Sequence, residues 1–285
     1  ATMAQPATAA QTQAQLIRAA GSSTVRPMVE ALAAAYRQQQ PEVEFRIQGG
    51  GSSAGIEAVG TNQAEIGMAS RGLKSFEARR YPHLATHLLA FDALALIAHQ
   101  DNPVTDLTHR DIEAIYLGKT RNWQDLGGAD LTIAPLGKAI GRATLDFFLY
   151  YFDLDAINEA GGNEFIRHRR RGKDADYADL KVKALGSNAA VIAEVGRQPG
   201  GLAYVSHGAA QQALAAGTAI KILALDGVRP TRETIQDGRY PLRRDLNLFT
   251  AKQAGVATQG FMRFIDSAPG QAIIAEQGYL LTIRP

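Results

Sequence analysis

Three short polar loops hold the residue types best suited to chemistry in this chain. Gly21-Ser22-Ser23-Thr24 stands between an apolar run and an amphipathic one, and so does Gly49-Gly50-Gly51-Ser52-Ser53. Ser70-Arg71 closes a third apolar run. The hydroxyls of Ser23, Thr24, Ser52, Ser53 and Ser70 can donate to an oxyanion. The glycines let an anion come close to the backbone. A helix start leaves about four backbone N–H groups unpaired and carries partial positive charge. Arg71 adds a fixed cation whose planar fork can hold an oxyanion through two parallel hydrogen bonds. One such loop alone reads as an ordinary helix cap. Three of them at one sheet edge, with an arginine, read as an anion site.

The elements that must position these loops follow from hydrophobic spacing. Leu16–Ala20, Val43–Gln48 and Ala64–Ala69 read as strands, each ending at one of the loops. Pro27–Gln38 is amphipathic at helical spacing, and a second helix is expected around Ile56 and Val59. Strand, loop and helix in succession argue for an α/β fold with largely parallel strands, in which ligands bind beyond the carboxyl ends. Leu88–His99 is the longest strand-like run. A second unit follows, with a helix over Asp111–Tyr116, a strand near Leu131–Leu136, a loop at Gly137–Gly141 and an apolar helix over Ala143–Phe152. Gly161–Tyr177 reads as a polar surface excursion and its run Arg167–Arg171 as a solvated face. Beyond it, Ala189–Gly196 and Gly208–Ala216 read as helices, and Gly201–Val205, Ile220–Leu225 and Leu246–Thr250 as strands. A last helix carries Phe261, Phe264 and Ile265.

Composition removes several function classes. At 285 residues the chain can bury a core without a disulfide or metal staple. The absence of cysteine excludes a thiol nucleophile, a zinc–cysteine site and an iron–sulfur cluster. A net charge of +2 is too balanced for a nucleic-acid binder. The Gly49-x-Gly51-x-x-Ala54 spacing lacks the later acidic residue of a dinucleotide site, and no phosphate-loop Gly-Lys-Ser/Thr is present. His83 and His87 share a helical spacing, but no Glu follows His83, so a metal centre is not expected. The sequence offers no convincing pair of nucleophile and base, so catalysis is not expected and no cofactor is implied. Ala1–Gln15 is uncharged and has no bulky apolar run, and reads as a disordered tether left after removal of a signal peptide.

Taken in order, the motifs resemble a known family. Gly21–Thr24, Gly49–Ile56 and Glu65–Arg71 carry the resemblance, with Ala90-Phe91-Asp92-Ala93, Asp101–Val104, Gly200–Val205 and Arg229 to Arg244. From Leu16 to the end the chain resembles the periplasmic phosphate-binding proteins of the phosphate-specific ABC transporter. The resemblance implies an α/β, two-lobed periplasmic-binding-protein fold of type II. Each lobe would be a mostly parallel sheet flanked by helices, with two crossover strands, here Leu88–His99 and Asp245–Thr250, as the hinge. Lobe I would comprise 16–92 and 246–285, and lobe II 93–245.

The resemblance also implies a function and a ligand set. The chain would be a periplasmic monomer that captures inorganic phosphate or a related oxyanion between its lobes. It would deliver the anion to a membrane permease and perform no reaction. Ser23, Thr24, Ser52, Ser53, Ser70 and Arg71 would contact the anion, with Ser70 where some members carry an acidic residue. The second lobe departs from the pattern of an Arg followed, after three residues, by Ser-Gly-Thr. Lys138 stands for the Arg, Arg142 for the Ser and Ala143 for the Gly, and Thr144 is retained. Lys138, Arg142 and Thr144 are the candidates there, although an ammonium lacks the guanidinium's fork. The alternative is a sensor or surface interaction protein on the same lobes, with altered or lost phosphate binding.

Overall fold

The structure is a computed structural model and describes residues 15–139, 143–159, 163–169 and 180–282. The tether up to residue 14, Arg142, and Arg170 and Arg171 of the basic run lie outside the described residues.

In chain order the elements are β1 (Gln15–Gly21), α1 (Arg26–Gln39), β2 (Val43–Gln48), α2 (Ser52–Gly60), β3 (Ile66–Ala69), α3 (Ser75–Arg80), β4 (Leu84–His99), β5 (Asp106–Leu107), α4 (His109–Tyr116), β6 (Ala134–Lys138), α5 (Ala143–Tyr151), β7 (Leu154–Glu159) and β8 (Asn163–His168). They continue with β9 (Val182–Leu185), α6 (Asn188–Arg197), β10 (Gly201–Ser206), α7 (His207–Ala215), β11 (Ile220–Ile222), β12 (Ala224–Leu225), α8 (Arg232–Gln236), β13 (Arg243–Ala251), α9 (Val256–Asp266), α10 (Ala268–Glu276) and β14 (Leu280–Leu281).

The chain divides into two compact units, one up to Leu89 with Leu246–Ile274, the other Ala90–Asp245 with the segment from Ala275. β4 and β13 each run through a unit boundary, and α10 makes a third passage.

In the first unit β1 pairs in parallel with β2 and β3, and β13 joins antiparallel to β3. α1 buries Met28, Val29, Leu32, Ala33 and Tyr36, the stripe expected from its spacing. Tyr36, Phe45 and Phe261 pack edge to face and tilted, with centroids 4.8–6.3 Å apart. α2 lies against β1 and β3 through glycine. A Cβ on Gly55 would meet Ala20 O at 2.5 Å and Met68 O at 2.8 Å, and one on Gly67 would meet Gly55 O at 2.6 Å.

In the second unit β6 runs parallel to β9 and β10, and β10 is antiparallel to β4. Phe148 of α5 stacks on Tyr204 of β10 at 3.8 Å. Asp92 and Arg244 form an ion pair, Nη2 to Oδ2 at 2.8 Å, and the Arg244 guanidinium also lies 4.7 Å from the Phe147 ring centroid. Both residues belong to the motifs Ala90–Ala93 and Arg229–Arg244.

Three expectations change. The segment from Ala275 goes with the second unit rather than with lobe I. β14 pairs with Phe91 and Ala90 of β4, Gln236 Nε2 donates to Leu281 O, and a Cβ on Gly208 would lie 2.6 Å from Gly278 O. The polar stretch from Gly161 contains β8, antiparallel to β7, so that part is a hairpin arm. Its Arg167 bonds Asp155 at 3.1 Å across that hairpin and is half-buried. The loop expected at Gly137–Gly141 begins later, because β6 continues through Lys138.

Candidate functional site

In the first unit backbone hydrogen bonds tie the three loops together. Ser22 N donates to Met68 O at 2.8 Å, and Gly51 N donates to Gly21 O at 3.0 Å. Gly21 sits at φ +136°, and a Cβ there would lie 2.1 Å from Met68 O, so only glycine fits this junction. Ser52 Oγ accepts from Ser70 N at 3.1 Å and lies 3.4 Å from Ser70 Oγ. The hydroxyls expected to act together on the second and third loops are therefore in contact.

Neither flanking helix is capped by a side chain. The N-cap of α2 is Gly51 and that of α1 is Val25, and neither makes a side-chain cap hydrogen bond. Neither N-cap position is held by a serine or threonine of these loops, the ordinary place for such residues. Ser22, buried, instead accepts from Thr24 N at 3.2 Å. Ser23 is exposed, and its Oγ is 3.6 Å from where a Gly49 Cβ would stand.

Arg71 is placed differently from the expectation. Its fork is turned onto Glu77, Nη1 to Oε2 and Nη2 to Oε1, each at 2.8 Å. Nη2 also donates to Ser53 Oγ at 2.8 Å and Nη1 to Gly72 O at 2.9 Å. Glu77 is buried and also accepts from Lys74 N at 2.8 Å. The Arg71 bonds, against the opposing effect of burial, hold its carboxyl below the usual range. The two parallel bonds foreseen for an oxyanion are made to a protein carboxylate, and the cation fixes Ser53. The sequence reading missed Glu77, which stands six residues after Arg71 within the six-residue helix α3.

In the second unit Lys138 ends β6 with 2% of its surface exposed, and its Nζ donates to Asn188 Oδ1 at 2.7 Å. Asn188 Nδ2 donates to Ser206 Oγ at 3.0 Å. Thr144 lies half-buried at the start of α5. Asn188 and Ser206 were not anticipated. Each follows a strand and opens a helix, the same signature that singled out Ser23 and Ser52.

Comparison with known proteins gives this geometry a family. A model of the PBP superfamily domain matches residues 5–268. The chain belongs to the PBP superfamily. It is 25% identical over 261 residues to the phosphate-binding protein PstS of Bacillus subtilis, spanning 91% of this chain and 78% of that protein. The crystal structure of an ABC-type phosphate transport receptor from Vibrio cholerae matches with a TM-score of 0.78 and 29% identity, over 94% of this chain and 100% of the other. A Clostridium perfringens protein crystallised with bound phosphate matches at 29% identity and a TM-score of 0.61, over 94% of this chain and 100% of its own. The α/β, two-lobed expectation therefore stands. Among the described residues no group of acidic or histidine side chains is placed to hold a metal ion, and no helix is long and apolar enough to cross a membrane.

Proposed function

We propose that this chain is an extracytoplasmic binding protein that captures inorganic phosphate and hands it to an ABC importer. The observation that carries this reading is the joined loop set of the first unit. Ser52 and Ser70 are in contact there, and the uncapped first turn of α2 stands beside them. Backbone N–H groups and hydroxyls gathered in this way suit a small, multiply charged oxyanion. Membership of a binding-protein superfamily and likeness to proteins named for phosphate binding support the choice of anion.

The ligand contacts of this reading are Ser23, Thr24, Ser52, Ser53 and Ser70 with the α2 start. Arg71 acts by fixing Ser53. Lys138 and Thr144 are the candidate contacts that belong to the second unit. The protein works by binding and release as a periplasmic monomer, without a cofactor and without a chemical step. A scavenger needs affinity of about 1 μM or better, about −8 kcal/mol, and a set of charge-assisted hydrogen bonds supplies that after the entropic cost of binding. The sensor alternative gains nothing from the named relatives, which are transport and binding proteins.

Calorimetric titration of Ser52→Ala against the unmodified protein tests the reading. Loss of the hydroxyl should weaken phosphate binding about tenfold, the worth of one hydrogen bond to a charged group. Equal affinity in the two proteins would remove this loop set from the site.

A further inference from the structure

The polar groups at the strand ends of the second unit form one directed chain of hydrogen bonds. The Lys138 ammonium, at the end of β6, donates to Asn188 Oδ1 at 2.7 Å. Asn188, at the start of α6, donates from Nδ2 to Ser206 Oγ at 3.0 Å. Ser206, at the end of β10, also accepts from Ala209 N at 3.4 Å. These are neighbouring parallel strand ends, since β6 and β10 are parallel partners.

The direction of the chain matters. An amide has one accepting and one donating end. With Nδ2 bonded to Ser206, Oδ1 must face Lys138. Turned over, the amide would set its N–H groups against an ammonium that can only donate. The donor-only ammonium fixes which end of Asn188 it meets, and Ser206, whose hydroxyl can serve either end of an amide, holds the other end in place.

An ammonium is a compact charge on a flexible four-carbon stem, with no fork to fix its direction. Such a head presents a donor in a set direction only when another group holds it. The Asn188 contact is with a neutral amide, so this bond orients the ammonium without cancelling its charge.

We propose that Asn188, locked by Ser206, is the positioning residue that aims the Lys138 ammonium at the bound anion. The proposal rests on the phosphate reading and on Lys138 as an anion contact. It assigns the chain's lysine, in a place where an arginine would orient itself, an external support drawn from two other strand ends.

The test is a double-mutant cycle on phosphate affinity, read by calorimetry beside thermal unfolding. Asn188→Ala should weaken phosphate binding about tenfold. Lys138→Met should weaken it about a hundredfold, which calorimetry still measures. In the Lys138→Met background, Asn188→Ala should change affinity less than about twofold, because there is no ammonium left to aim. A purely structural Asn188 would give the same loss in both backgrounds, and that result overturns the proposal. So does an Asn188→Ala protein that binds within about twofold of the unmodified one. If Asn188→Ala does not fold, Ser206→Ala replaces it, with about a threefold loss expected beside Lys138 and none beside Met. An unmodified protein that binds no phosphate overturns the functional reading and this proposal together. Phosphate binding indifferent to Asn188 overturns the positioning role alone.

Discussion

The Arg71 guanidinium meets the Glu77 carboxylate through two parallel hydrogen bonds of 2.8 Å. Glu77 is 3% exposed, so the pair is closed to solvent on the carboxylate side. Its consequence reaches the loops, because the same guanidinium donates to Ser53 Oγ at 2.8 Å. The Arg71 charge is met by Glu77 within the protein, and in the proposed site the pair's part is to hold Ser53 in place.

Glu77→Gln should therefore destabilise the protein in a pH-dependent way. Bonds from Arg71, opposed by burial and helped by Lys74 N, hold the Glu77 pKa below its ordinary 4.5. A depressed carboxylate contributes stability that is full above the ordinary pKa and is lost as pH falls through the lower folded value. Urea unfolding should show a deficit of about 2 kcal/mol at pH 7, narrowing steadily below about pH 4.5. A deficit that stays constant into acid would contradict the ion-pair account.

Gly55→Ala should damage the site through the fold. The added methyl would meet three backbone atoms, Ala20 O at 2.5 Å, Gly21 Cα at 2.7 Å and Met68 O at 2.8 Å. None of these can rotate away, so α2 must lift from β1 and β3. The expected cost is about 3 kcal/mol in chemical unfolding, with weaker phosphate binding in the protein that remains folded. A fully stable, fully binding Gly55→Ala would show that this helix does not need its close approach.

The alkaline limb has its own marker. Burial, with a smaller contribution from the Asp92 charge and opposition from Arg244, pushes the Tyr279 phenol up to about 12. Burial also raises Tyr240, whose hydroxyl donates to Leu94 O at 2.7 Å. A raised phenol contributes stability that is full below the ordinary value near 10 and lost as pH climbs through about 12. Tyr279→Phe should lose less stability than the unmodified protein across that window. Identical alkaline profiles would mean that Tyr279 ionises freely in the folded state.

Anion choice should be looser than an acidic residue at position 70 would make it. Sulfate carries no proton at neutral pH, so a carboxylate in the site repels it, and this chain has Ser70 there. The nearby Glu77 accepts from Arg71 with both oxygens and is not offered to a ligand. Competition calorimetry should show sulfate displacing phosphate at large excess. No displacement at any sulfate concentration would require an acid elsewhere in the site.

Much of this arrangement was readable from spacing. Gly21–Thr24, Gly49–Ser53 and Ser70-Arg71 were separable as loops because each follows a short apolar run. Their convergence followed from parallel α/β order. What spacing could not give was partner choice. Arg71 was matched to an external oxyanion because Glu77 lies in a six-residue helix too short to show periodicity. Asn188 and Ser206 escaped because a polar residue at a helix start is ordinarily a cap, and the Lys138 contact that distinguishes Asn188 spans fifty positions of sequence. The place of the segment after Ala275 depended on the two-residue strand β14 and a glycine-to-glycine contact, neither of which leaves a pattern in sequence.

The most direct measurement is calorimetric titration of the full chain with inorganic phosphate, after unfolding and refolding to strip any carried anion. The account predicts one phosphate per chain, bound at about 1 μM or tighter. A refolded protein that gives no heat with phosphate, and whose unfolding temperature phosphate does not raise, would contradict the central claim.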